Sequence, residues 1–385
     1  MFGKRYTLFT LFDFAVRIDL SWLLILALVV WSLAGGVFPQ QVEGLSGWQY
    51  GLMGLAAAAG LFLSIVFHEM SHSLVARGSG LPMKGITLFL FGGVAEMSDE
   101  PPSAMAELKM AIAGPLASVL VLGVFLGLAT LGTSWGWSQP VTAVLRWIGY
   151  INGVLVVFNM IPGYPLDGGR VLRALIWKKK GNLREATRIA SRVGAGFGLL
   201  LVGLGVVNLL FMNPIGGLWW ILIGFFIRSV AKNSYQQLLI RIALQGEEVR
   251  RFMKGSPVSV SSSLSIGEFV EDYVYRHHYK LFPVVDQERL VGCITTRNVK
   301  EIPREEWSRY RVGDAAQPCS DSHTIAPHTD AVKALEKMNR NQADRLIVAD
   351  GDNLLGMLAL KDVLRFLSVK LDLEGDAELP RGLAA

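Results

Sequence analysis

Histidines 68 and 72, with Glu69 beside the first, sit in "FHEMSHSLVA", directly after "GLMGLAAAAGLFLSIV", a run without a charged residue. Residues four apart share one face of a helix. Two imidazoles and a carboxylate in this order form H-E-x-x-H, in which the histidines hold zinc and the glutamate acts on a water. A surface helix can carry the same letters by chance, and a proton relay or a polar helix contact would use them too. The apolar surroundings favour a site: an ionisable side chain mid-membrane costs about 2.5–3.5 kcal/mol on insertion scales, so such residues are rare and usually functional.

A catalytic zinc normally takes three protein ligands and leaves the fourth position to water. The other histidines, His277, His278, His323 and His328, all lie far toward the C-terminus, so a carboxylate must complete the set. The best candidate is Asp167 in "FNMIPGYPLDGGR" (158–170), after a break made by Pro162, Gly163 and Pro165 and before Gly168 and Gly169. Asp167 also suits the N-cap of a following helix, a role compatible with ligation.

These residues need elements to carry them. The chain has 385 residues, of which 51% are hydrophobic, and a mean hydropathy of +0.39, more apolar than soluble domains usually are. The apolar residues come in blocks before residue 245 or so, and the remainder is ordinarily charged. Six spans are expected, at roughly 19–36, 52–76, 105–131, 141–161, 194–212 and 216–231, each near the ~20 residues needed to cross. The connections "FPQQVEGLSGWQY", "GTSWGWSQP" and "MNPIGG" carry no Lys or Arg, whereas the opposite ends carry Lys4, Arg5, Arg17, Arg77, Lys84, Arg170, Arg173, Lys178, Lys179, Lys180, Arg184, Arg188, Arg228 and Lys232. The positive-inside rule then puts both termini in the cytoplasm of a multi-pass protein of the cell membrane. The net charge of +5 is topogenic, and a nucleic-acid partner is not expected. The first apolar segment reads as a retained span and not a cleaved signal. Cys293 and Cys319, the only cysteines, suit a reduced compartment without a disulfide framework. In this topology the second and fourth spans run the same way, bringing His68, His72 and Asp167 to similar depth on the cytoplasmic side.

Between the second and third spans, "KGITLFLFGGVAEM" (84–97) alternates Ile86, Leu88 and Leu90 with Thr87, Phe89 and Phe91 before Gly92 and Gly93. It reads as a short strand pair. An exposed edge there would hold an unwound substrate by β-addition, making Phe89, Phe91, Gly92 and Gly93 candidate substrate-binding residues. "FAVRIDL" (14–20) is a second candidate strand. Simple packing hairpins would give the same pattern. No insertion approaches the ~50 residues of a typical small domain, so no PDZ-sized module fits between spans.

The C-terminal part repeats. "FPVVDQERLVGCITTRNV" from Phe282 recurs as "LIVADGDNLLGMLALKDV" from Leu346, aligning Asp286 with Asp350, Gly292 with Gly356 and Asn298 with Asp362. Each copy reads strand, turn, strand, helix, and two such units should pack as a pair. "RHH" (276–278) lacks supporting ligands and reads as a solvated helix end, and "KKK" (178–180) as an interfacial anchor.

"HEMSH" in a span, "FGGVAEM" after it, "AGPLAS" in the next span and "NMIPGYPLDGGR" later resemble the site-2 protease family of intramembrane zinc metalloproteases, over roughly residues 10–235. The resemblance implies one Zn2+ per chain on His68, His72 and Asp167, with Glu69 as general base and acid and Asn159 holding substrate or oxyanion. The family often has Asn at Ser118, which therefore receives no role. The repeat resembles a tandem CBS pair, implying homo-oligomers and an adenine nucleotide such as ATP, held by Asp362. Asn298 replaces the aspartate in the first copy and Ala359 a hydroxyl residue in the second, so at most one nucleotide site is expected, and a pair that serves only for dimerisation is the alternative.

The expected fold class is a polytopic α-helical membrane protein with short membrane-associated strands plus a cytosolic α/β CBS pair. The expected domains are 1–235 (six-span metalloprotease), 236–247 (linker), 248–305 and 308–370 (CBS domains 1 and 2) and 371–385 (flexible tail). The expected function is hydrolysis of peptide bonds in or near the transmembrane segment of a single-span membrane protein, gated by the CBS pair. The competing readings are a CBS-regulated channel or transporter, which leaves Glu69 unexplained, and a non-proteolytic homologue that binds substrate or metal.

Overall fold

The computed structural model describes residues 5–12, 14–81, 83–89, 92–97, 100–287 and 289–373. The chain divides into two compact units, Met1–Gln236 and Gln237–Ala385. Phe91 and nearly all of the expected tail lie outside the described residues.

The first unit opens with strands β1 (Arg5–Leu11) and β2 (Phe14–Asp19). Helix α1 (Leu20–Ser32) then runs through a π turn, Leu33–Val37, into α2 (Phe38–Gln41). Asp19 starts α1 by accepting from the Ser21 N–H at 2.9 Å, satisfying a donor that a helix start leaves free. Helix α3 (Gly47–Gly78) begins at a capping box in which Ser46 and Gln49 answer one another. Strands β3 (Met83–Phe89) and β4 (Gly92–Met97) follow, then α4 (Ala104–Ser134), α5 (Gln139–Asn159), α6 (Asp167–Lys180), α7 (Leu183–Phe211) and α8 (Pro214–Leu244). Ser103 caps α4 and Asn182 caps α7, and α6 stops at Gly181 with φ 68°, a left-handed position that glycine takes without strain.

Among the described residues, six helical stretches are long and apolar enough to cross a membrane: Leu20–Gln41, Gly47–Gly78, Ala104–Ser134, Gln139–Asn159, Leu183–Phe211 and Pro214–Leu244. They coincide with the six stretches expected from hydropathy, several running a turn or more longer. The largest differences are α8, which continues past 231 to Leu244, and α7, whose first turns "LREATRIASR" are too polar for a hydropathy window but are helical because α7 packs there on α6.

The four strands form one sheet in the order β1-β2-β3-β4. The outer pairs are antiparallel and β2 lies parallel to β3. Phe14, Val16, Ile86 and Leu88 from the sheet pack on Val66 and Met70 of α3, which bracket His68. The apolar alternation of the strands therefore clamps the sheet to the helix that carries H-E-x-x-H.

The second unit contains β5 (Val260–Ser261), α9 (Ile266–Glu268) continuing through a π turn into α10 (Tyr275–His277), β6 (Leu281–Asp286), β7 (Arg289–Thr295), α11 (Thr296–Lys300) and α12 (Val312–Ala315). The second copy supplies β8 (Thr324–Ile325), α13 (Ala331–Asn341), β9 (Arg345–Asp350), β10 (Asn353–Ala359) and α14 (Leu360–Leu373). The sheet order β5-β6-β7-β10-β9-β8 runs the two copies in opposite directions from a shared centre. In each copy the first strand is parallel to the second and the second antiparallel to the third. Leu281, Cys293, Ile347 and Met357 join the copies in one buried cluster.

Candidate active site

α3 turns His68 and His72 to one side, where α6 presents Asp167 from its first turn. The Nε2 atoms of the two histidines are 3.1 Å apart. Asp167 Oδ2 lies 3.1 Å from His68 Nε2 and 3.3 Å from His72 Nε2. A tetrahedral ion with bonds of about 2.0–2.1 Å to nitrogen and oxygen has donor–donor edges of about 3.3 Å. The triangle therefore has the size of one face of a zinc coordination shell.

The outer ring nitrogens fix which atoms face inward. His72 Nδ1 donates to the Met110 carbonyl at 2.7 Å, which leaves the Nε2 lone pair free for a metal. His68 Nδ1 lies 2.9 Å from the Ser118 hydroxyl. Both partners belong to α4. Between them sits Gly114, where an added Cβ would fall 2.2 Å from His72 Nε2 and 2.6 Å from His68 Nε2. The helix thus leaves a hollow of about one atom against the two donors. A borderline-soft N2O donor set with an atom-sized space fits zinc.

Asp167 is placed by backbone packing. The preceding turn lies so close to α6 and α7 that only glycine fits: an added Cβ on Gly169 would be 2.2 Å from the Gly163 carbonyl carbon, and one on Gly194 of α7 would be 1.9 Å from the Tyr164 carbonyl oxygen. The cap position of α6 is Leu166, so the Asp167 carboxylate is not spent on capping.

Glu69, half-buried, follows His68 on α3. An added Cβ on Gly93 would lie 2.7 Å from Glu69 Cγ and 3.0 Å from Oε1, so β4, at the end of its sheet, passes directly beside this carboxylate. Gly92 pairs with Phe89 at the start of β4. The Phe89 ring lies 6.2 Å from that of Phe226 on α8. Asn159, the last residue of α5, is half-buried, and no hydrogen bond joins it to the three donors. Ser118, Gly114 and the Met110 carbonyl went unassigned from the sequence, although positions 110, 114 and 118 follow the four-residue spacing of one helix face.

In the second unit, Asp362 stands in the first turn of α14. Its Oδ1 lies 3.6 Å from Lys254 Nζ, and its buried Oδ2 meets no hydrogen-bond partner among the described residues. Asn298, its counterpart, is consumed locally: its Oδ1 accepts from the Thr295 N–H at 2.9 Å in a capping box that starts α11. A cavity of 440 Å³ in this unit is lined by Leu290, Cys319, Thr324, Lys337 and Asp352 among others, and not by Asp362.

The family model for peptidase family M50 matches residues 56–136 and 129–201, and that for the CBS domain matches 249–305 and 312–369. A Synechocystis sp. protein with a zinc-metalloprotease name is 34% identical, over 93% of this chain and 94% of its own length. A zinc metalloprotease of Methanocaldococcus jannaschii is 32% identical, over 80% of this chain and 84% of its own. A solved structure, the site-2 protease from Methanocaldococcus jannaschii, is 28% identical, covering 60% of this chain and 94% of that one with a TM-score of 0.42.

Proposed function

Because the chain belongs to peptidase family M50, a multi-pass zinc metalloprotease of the site-2 protease type carrying CBS domains, we propose that it cleaves a membrane-anchored, single-span protein in or near its transmembrane segment. The observation that carries this reading is the convergence of His68, His72 and Asp167 at edges of 3.1–3.3 Å with Glu69 beside them. These three residues would hold the zinc. When bound, the ion supplies a Lewis acid that makes water nucleophilic near neutral pH and polarises a peptide carbonyl.

The protein's own groups do the rest. Glu69 accepts the proton of the attacking water and returns it to the leaving amine. Met110 and Ser118 hold the two imidazoles in the orientation that points their Nε2 lone pairs inward. The substrate's scissile segment, unwound, lies along the edge of β4, with Gly92 and Gly93 allowing its backbone close to Glu69 and Phe89 flanking it. The Asn159 amide steadies the carbonyl oxygen once the substrate is in place. The CBS pair lies on the cytoplasmic side, mediates self-association, and gates cleavage by binding an adenine nucleotide at Asp362. The orphaned Asp362 Oδ2 and the Lys/Arg-poor outer loops support this assignment.

The test is zinc content per chain together with cleavage of a transmembrane test peptide, for wild type and Glu69→Gln. We expect about one zinc in both proteins and a loss of cleavage of roughly 10²–10⁴-fold in the variant. Wild-type protein free of zinc after chelator-free purification would overturn the reading.

A further inference from the structure

Six residues after Asp167, α6 carries Arg173, whose side chain is 3% exposed. It reaches Glu107 in the first turn of α4, whose side chain is fully buried: Nε donates to Glu107 Oε1, and Nη2 pairs with the same oxygen. Nη2 also meets Glu100 Oε2 at 3.2 Å. The guanidinium carbon lies 5.1 Å from the centroid of Tyr164, a residue of the turn that delivers Asp167. None of these groups touches the donor triangle.

A buried charge pair gives little net stability against an apolar replacement, so its presence calls for another reason. The reason lies in what it joins. Glu107 is three residues before Met110, on the helix whose Met110 carbonyl and Ser118 hydroxyl orient the two imidazoles. Arg173 is on the helix that bears the carboxylate donor. One guanidinium thus ties the carboxylate side of the metal site to its imidazole side. The bridge to Glu100 differs, because that carboxylate is 32% exposed. Glu100 follows the end of β4 at Met97 by three residues, and β4 passes beside Glu69 at Gly93.

We propose that Arg173 is a positioning residue with two separable outputs: through Glu107 it sets Asp167 against His68 and His72, and through Glu100 it anchors the root of the substrate-binding edge strand. This rests on the metalloprotease reading of the site. Arginine is suited to the task because its fixed fork reaches two carboxylates at once, which a lysine ammonium cannot reproduce.

The full-length protein in detergent, as wild type, Glu107→Gln, Arg173→Lys and Glu100→Gln, tests it by zinc competition against a chromophoric chelator and by kcat and KM on a transmembrane peptide. Glu107→Gln should weaken zinc by about two- to five-fold, less than the 10–100-fold of losing a direct hydrogen-bond partner of a metal ligand, because Glu107 acts on the ligands only through α4. Glu100→Gln should leave zinc affinity unchanged and raise KM by about two- to five-fold at constant kcat, as for a partly exposed ion pair. Arg173→Lys should show both effects, and it supplies the zinc readout if Glu107→Gln does not fold. Lower thermal stability with zinc affinity and KM unchanged would overturn the proposal, as would a Glu100→Gln effect on zinc instead of KM. A wild type that binds no zinc would instead overturn the reading of the site itself.

Discussion

The metal site in the first unit and the Asp362 position in the second are both places where a ligand is expected, and they are built in opposite ways. At the first, three donor atoms already stand at 3.1–3.3 Å from one another, the outer nitrogens of the two histidines are hydrogen-bonded, and a glycine keeps an atom-sized hollow open. At the second, a single carboxylate waits at a helix start with one oxygen 3.6 Å from a lysine and the other without a hydrogen-bond partner among the described residues. A metal ion needs short bonds to several donors at once, so the scaffold must assemble them in advance. A nucleotide spreads its contacts over many weaker groups, so one residue can mark its site without forming it.

That difference is broken most directly at Gly114. Gly114→Ala should reduce zinc from one per chain to near none and abolish cleavage, because the added methyl takes up the space beside both Nε2 atoms. Alanine is otherwise the better helix former by about 1 kcal/mol, so α4 itself should persist. Metal analysis beside circular dichroism separates the two effects. A variant that keeps its zinc would show that the hollow is not the ion's place. A step down, Ser118→Ala removes only the partner of His68 Nδ1 and should cost about tenfold in zinc affinity. Ser118→Asn, which keeps a hydrogen-bonding side chain there, should restore most of it in the same competition assay.

The sequence made the donors legible because their chemistry is irreplaceable and their spacing rigid: two histidines four apart, and an aspartate between a proline break and two glycines. What supports them was not legible. Ser118 and Met110 act through a hydroxyl and a backbone carbonyl, and many residue types could stand in their places. Gly114 was visible as a letter, but its function is the absence of a side chain at one point in space, which only the packing of α4 on α3 defines. The fold behaved similarly. The spans were readable from hydropathy, while the polar start of α7 is helical for reasons of tertiary contact. Arg173 counts, in the sequence, only among the basic residues that set topology, and nothing there marks Glu107 as its buried partner, because the packing of α6 on α4 defines the pair.

In the second unit the two copies differ at the start of their last helices. Thr295 in the first copy gives Asn298 a capping partner, whereas Ala359 in the second gives Asp362 none. Asp362→Ala should therefore weaken ATP binding by about 10-fold or more, the value of a hydrogen bond to a charged group. Asn298→Ala should leave nucleotide binding alone and instead lower stability by less than about 1 kcal/mol, through loss of the reciprocal half of the capping box while the Thr295 cap remains. Equilibrium dialysis with ATP on the full chain reads the first, and denaturant titration the second. Equal loss of ATP binding in both variants would mean that the copies are functionally alike after all.

The smallest expected effect concerns how α14, the helix that carries Asp362, is held. Lys370 near its end donates to the Ala243 carbonyl at 2.9 Å and pairs with Glu247 at 3.3 Å, while Arg251 pairs with the same carboxylate. The hydrogen bond from Arg251, opposed by desolvation and helped by Lys370, lowers the Glu247 pKa from its ordinary 4.5. A carboxyl whose folded pKa is depressed contributes stability that is present above its unfolded value and lost as pH falls through the folded one. The contacts should thus be intact at neutral pH and weaken below about pH 4.5, by no more than about 1 kcal/mol for so solvent-accessible a pair. Amide exchange in the last turns of α14, followed from pH 6 down to pH 3 and divided by the intrinsic rate, should lose protection in the wild type below about pH 4.5. In Glu247→Gln the protection should already be low at pH 6 and fall no further. If the two proteins track each other over that range, the ion pair does not hold the helix, and the positioning of Asp362 must come from the apolar packing beneath α14 alone.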